Sequence, residues 1–82
     1  MTVDEIHRNL LQALAVMVEN YAAVLGNPIP GHEPVLREMA LRHLQAQVRA
    51  AEIMCVAGGI DRATIETVMR LKYLSMGATV PA

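Results

Sequence analysis

The chain has 82 residues, 54% of them hydrophobic, with no Phe or Trp, two Tyr and six Met. A domain of this size buries only about 60–65% of the surface that its unfolded chain exposes, so this apolar content exceeds what a small monomer hides and a homo-oligomer is expected. Seven Lys and Arg stand against eight Asp and Glu, a net charge of −1, which excludes attraction to nucleic acid through a global positive field and leaves only local patches.

The single cysteine, Cys55, has no internal disulfide partner and falls in an apolar helical stripe, which suits a small core residue in a reducing, cytoplasmic compartment. The apolar stretch from Leu10 to Leu25 has no basic leader and is interrupted by Gln12, Glu19 and Asn20. Neither a signal peptide nor a membrane span, which needs about 20 predominantly apolar residues, is expected from it.

Thr2 with Glu5 three residues on is a capping box that opens a first helix, predicted over about residues 3–25. Ile6, Leu10, Leu14, Met17, Tyr21 and Leu25 follow spacings of three and four, an inner stripe. Leu11, Val16 and Val18 add apolar surface outside it and are the expected oligomer interface. Gly26 can end the helix, and Pro28 and Pro30 stiffen the loop that follows.

Pro34 suits the first turn of a second helix, expected to about residue 57. Leu41, Leu44, Val48, Ala51 and Cys55 recur at 3, 4, 3, 4, the seam of a helix packed lengthwise on another, and Arg42, Gln45, Arg49 and Glu52 run beside them as a polar stripe. Gly58 and Gly59 stop this helix. Asp61 caps a third, predicted over residues 61–76, with Ile60 and Ile65 as a hydrophobic staple. Ile65, Val68, Met69 and either Leu71 or Lys72 give the third helix its buried side, and residues 77–82 read as a flexible tail. The fold expected is all-α: one three-helix domain built on a long helical hairpin.

No catalytic or metal signature is present, and an enzyme is not expected. His7, His32 and His43 lie in different segments without metal-ligand spacing, and a metal at His32 and Glu33 is less favoured than two solvated loop residues. Ser75 has no triad context. Neither a cofactor nor a metal is called for. The basic stretch Arg37, Arg42, His43 and Arg49 offers forked donors that match phosphate or carboxylate.

Cys55, Gly59, Ile60, Asp61, Thr64, Ile65 and Val68 occupy the spacing of a helix-turn-helix, and the segment resembles that of small repressors over about fifteen residues. The resemblance implies DNA contacts from Arg62, Glu66, Thr67 and Arg70. The long uninterrupted helix before the turn and the acidic Asp61 and Glu66 count against that reading.

"REMALRHLQAQVRAAEIM", Arg37 to Met54, behind a proline-rich loop and a helix of about 20 residues, resembles small phage proteins that sequester cyclic nucleotides and so antagonise CBASS immunity. Over residues 10–57 the resemblance implies a non-catalytic oligomer that grips an anionic small ligand, with Arg37 as a basic contact and Tyr21 as the aromatic near the base. Arg42 stands where that family is expected to carry a hydroxyl, and the third helix is additional. The same hairpin is similar to small helical co-chaperones of type III secretion, which implies a protein partner held on apolar helix faces. A non-enzymatic binding protein that sequesters or blocks a partner is the expectation, with a DNA-binding regulator and a secretion co-chaperone as alternatives.

Overall fold

A computed structural model describes residues 2–26 and 34–78, and contains three helices: α1 (Val3–Gly26), α2 (Pro34–Ala57) and α3 (Arg62–Ser75). The expected proline-stiffened loop, its His32 and Glu33, and residues 79–82 of the expected tail lie outside the described residues.

The capping residue expected at the start of α1 is in place: the Glu5 backbone N–H donates to Thr2 Oγ1 at 3.2 Å, filling one of the donors that a first turn leaves unmet. α1 and α2 then run antiparallel. His7 Nε2 donates to the Gly58 carbonyl at 2.9 Å at one end of the pair, and Arg37 reaches the Val24 and Leu25 carbonyls at the other. α3 begins beside the start of α1 and follows it in the same direction, so that Lys72 meets Glu19 at 3.3 Å.

The turn between α2 and α3 is specified atom by atom. Gly59 adopts φ +87°, its N–H donates to the Val56 carbonyl and the Ile60 N–H to the Cys55 carbonyl, both at 3.0 Å. This is a complete Schellman closure, and it requires a residue that tolerates a left-handed conformation. Gly58 serves a different end: a Cβ there would lie 2.6 Å from Leu10 Cδ1, so the bare backbone lets α1 approach closely. Asp61 has the extended backbone of a cap (φ −61°, ψ 137°), but its side chain makes no capping bond. The angle is instead held by Ile60 and Ile65, both buried, as the staple pattern predicts.

α3 ends in a second closure of the same kind. Gly77, at φ +69°, donates to Leu74 and Ala78 donates to Tyr73, each at 3.0 Å. Ala78 also packs against the core, so Gly77 and Ala78 belong to the helix terminus and not to a loose tail.

The core comprises Leu14, Val18 and Ala22 from α1, Val48 and Cys55 from α2, Ile60 from the turn, and Ile65 and Tyr73 from α3. The α2 seam is where its spacing puts it: Val48 and Cys55 are buried, and Leu41, Leu44 and Ala51 half-buried. The α1 stripe differs from expectation. Val18, assigned to an oligomer interface, has 0% of its surface exposed, and Leu11 is half-buried against the core, whereas Ile6 is exposed. The reason is that α1 carries both of the other helices and so buries a wider arc than one seam requires. Val16 alone of the three expected interface residues remains outward, among polar neighbours such as Gln12, Glu19 and Asn20.

On α3 the choice between Leu71 and Lys72 falls to Lys72, which is half-buried and paired with Glu19, while Leu71 is exposed. Tyr73, absent from the expected buried side, is one of the core's most enclosed residues. Among the described residues no helix is long and apolar enough to cross a membrane.

Candidate functional site

α2 and α3 both lie along α1 but make few contacts with each other beyond their shared turn, and this leaves an open groove between them of about 830 Å³. That volume falls within the range of small-molecule sites, roughly 300–1,000 Å³. Tyr21 from α1, Val48 from α2, and Met69 and Tyr73 from α3 supply its apolar lining. Arg42, Gln45, Arg49 and Glu52 form one wall, the polar stripe read from the sequence of α2. Arg62, Glu66 and Arg70 form the other. A smaller extension of about 370 Å³ continues toward the turn past Arg49, Glu52 and Arg62.

The groove unites residues that the sequence placed in two unrelated hypotheses. Tyr21, Arg42 and Arg49, assigned to an anionic ligand, face Arg62, Glu66 and Arg70, assigned to DNA. Periodicity explains the convergence. Arg42, Arg49 and Glu52 sit beside the α2 seam on the side turned toward α3, and Arg62, Glu66 and Arg70 recur every four residues along α3 on the side turned toward α2. Two expected residues stay outside. Arg37 points at the end of α1, where its Nη2 lies 3.5 Å from the Val24 and Leu25 carbonyls and its Nε is buried without a partner among the described residues. Thr67 is not part of the groove lining, and its hydroxyl donates to the Ala63 carbonyl at 2.8 Å, one turn back on its own helix.

Four guanidinium groups and two carboxylates line the groove, a local excess of positive charge within a chain of net charge −1. The arginines are not equivalent. Arg42 is held by Glu38 at 2.8 Å, and Arg62 lies 3.8 Å from Glu66, both pairs being exposed and along one helix. Arg49 and Arg70 form no ion pair among the described residues, although Glu52 and Glu66 line the same groove.

Tyr73 is held in the neutral form beyond the ordinary tyrosine range, first by burial and then by Tyr21 and Glu52 beside it. The Cys55 thiol is pushed up by burial and secondarily by Glu52, and it donates to the Leu10 carbonyl at 3.6 Å. A thiol so placed is a packing group, because nucleophilic chemistry needs the thiolate. Among the described residues no three His, Cys, Asp or Glu side chains lie close enough to hold a metal ion.

The groove was legible as two half-patterns and not as a whole. Each helix shows its polar stripe, but only the fold reveals that the stripes oppose one another. Tyr73 was missed, although its spacing from Ile65 and Met69, four residues at each step, places it on the same face. Comparison of the chain with protein-family models, with curated proteins and with solved structures finds no match.

Proposed function

We propose that this is a non-enzymatic binding protein that acts as a homo-oligomer and takes an anionic ligand into the groove between α2 and α3. One observation carries the reading: Arg49 and Arg70, from different helices and without carboxylate partners among the described residues, line the same groove as Tyr21 and Tyr73. Guanidinium groups present planar, forked donors that suit phosphate, and the half-buried Tyr21 ring beside them offers a face to a planar base, with the enclosed Tyr73 packed beneath it as support. A cyclic nucleotide combines both features. Sequestration of such a ligand, as a phage or mobile-element inhibitor of bacterial defence would perform it, is the most specific form of the reading.

Thermal unfolding against a panel of cyclic nucleotides tests it. A ligand at 100 times its Kd adds about 2.7 kcal/mol of stability, and for a domain of this size each kcal/mol raises Tm by roughly 4–8 °C, so an upward shift of about 10 °C or more is expected. The shift should disappear in the Arg49→Ala, Arg70→Ala double variant. No shift with any member of the panel overturns the nucleotide form of the proposal. Retention on duplex DNA that falls steeply with salt and depends on Arg62 and Arg70 would replace it with the regulator reading.

A further inference from the structure

α2 carries a second apolar seam. Besides the buried one that meets α1, Leu36, Met39, His43, Ala46, Ala50 and Ile53 recur at 3, 4, 3, 4, 3 along the opposite side of the same helix, and all six are exposed. Met39 is 61% and Ile53 63% exposed, with Val35 and Met54 uncovered beside them. A sustained 3-4 repeat is the spacing of a helix that packs lengthwise on another helix, and among the described residues no helix packs on this side, whose Ala46 and Ile53 also edge the groove and its extension. Leu36, Met39 and Ile53 leave on the order of 300 Å² of apolar surface in water, and Val35 and Met54 beside them bring it to about 500 Å², at the upper end of the largest patch of an ordinary monomer and a substantial part of the roughly 800 Å² per partner of a standard interface.

We propose that this seam pairs antiparallel with the same seam of a second copy, making α2 the centre of a twofold dimer. The order of residue sizes along the stripe selects both the occupant and the orientation. A twofold interface must be complementary to itself. With the axis between residues 44 and 45, Leu36 meets Ile53 of the partner subunit, Met39 meets the partner's Ala50, and His43 meets the partner's Ala46. Every layer then sets a large side chain against a smaller one or two medium ones against each other, and the helices keep an even separation. Parallel pairing would instead stack Met39 on its own copy and leave two successive alanine layers, bulky at one place and hollow at the next.

The same pairing sets Arg42 near the partner's Arg49 along one flank. That repulsion is between exposed groups, one of them already paired with Glu38, and salt screens it. The interface differs from the one expected on α1, since Val18 is consumed by the core.

Sedimentation of the ligand-free protein tests the pairing independently of any ligand in the groove. The expected mass is twice the 8.9 kDa of one chain at tens of micromolar. Ala50→Glu, an exposed position, should weaken the dimer at least tenfold while the helical circular dichroism is retained. Orientation is read by disulfide formation: Met39→Cys mixed with Ala50→Cys should crosslink, and Met39→Cys alone should not, with the native Cys55 buried and silent. A monomeric wild type, a dimer indifferent to Ala50→Glu, or a Met39→Cys protein that crosslinks to itself overturns the proposal.

Discussion

The two ends of the hairpin are built differently. At the turn end three helices meet: Cys55, Ile60 and Ile65 are buried together, the Schellman closure satisfies the last carbonyls of α2, and His7 ties α1 to the Gly58 carbonyl. At the other end, among the described residues, only α1 and α2 are present, because the 14 residues of α3 rise about 21 Å against the 36 Å of a 24-residue helix. There Val35, Leu36 and Met39 are exposed, and the tie between helices is a pair of Arg37 contacts at 3.5 Å, the outer limit of a hydrogen bond. The difference teaches that a core needs a third layer to close. The side of α2 turned away from α1 stays uncovered at both ends, from Leu36 to Ile53, and it is this side that is available for a second copy.

The largest break in this comparison comes from truncating the closed part. Leu14 is fully buried in the shared face of α1. Leu14→Ala is expected to cost about 2–5 kcal/mol, a large share of the roughly 4–12 kcal/mol that a domain of this size possesses, with urea unfolding as the measurement. Leu36→Ala at the open end should cost under about 0.5 kcal/mol at concentrations where the chain is monomeric, since its side chain is already half in water. Gly59→Ala comes next. Its φ of +87° places a Cβ in a disfavoured conformation, worth about 1–2 kcal/mol. Gly58→Ala should be milder, because the atom in its way is the tip of the Leu10 side chain, which can turn aside.

A smaller effect distinguishes the ends through pH. Tyr73 and Cys55 both have pKa values raised in the folded state, by burial first. The unfolded chain therefore loses these protons at lower pH than the folded one. Stability is at its full value below the ordinary Cys and Tyr values of 9.0 and 10.0 and falls as pH rises through and above them. Tm measured from pH 8 to 11 should decline from about pH 9. Tyr73→Phe should flatten the upper part of that decline, and a profile unchanged by the substitution would show that the hydroxyl is not enclosed in the fold.

Much of this arrangement could be read in the residues. The 3-4 seam of α2, the glycine stop and the isoleucine staple are local patterns, each completed within a few residues, and the structure has them where the spacing puts them. What sequence could not supply was which side of α1 receives which helix. Val18 looks surplus to a single stripe and becomes core once α3 lies beside α2. The groove was hidden for the same reason, since Arg49 and Arg70 are 21 positions apart and only packing on a common α1 brings their helices face to face.

Arg37 gives a small expected effect and the sharpest contrast with the groove. Sequence placed it with Arg42 and Arg49 as one basic stripe, but on α2 it lies on the side of the buried seam, toward the end of α1. Its positive charge near the last carbonyls of α1 is favourable, worth about 0.3–1 kcal/mol. Against this, its two contacts are long and its Nε is buried without a partner among the described residues, a loss of about 1 kcal/mol or more. The terms nearly cancel, so Arg37→Met, which keeps an unbranched side chain of comparable reach, should change global stability by less than about 1 kcal/mol. Amide exchange should quicken in the last turn of α1, where those carbonyls lose their cap. Anion-induced thermal shifts should survive Arg37→Met and be lost in Arg49→Ala, because only Arg49 opens on the groove. An Arg37→Met protein that no longer responds to the ligand would move the site to the open end of the hairpin and leave the groove between α2 and α3 without its assigned role.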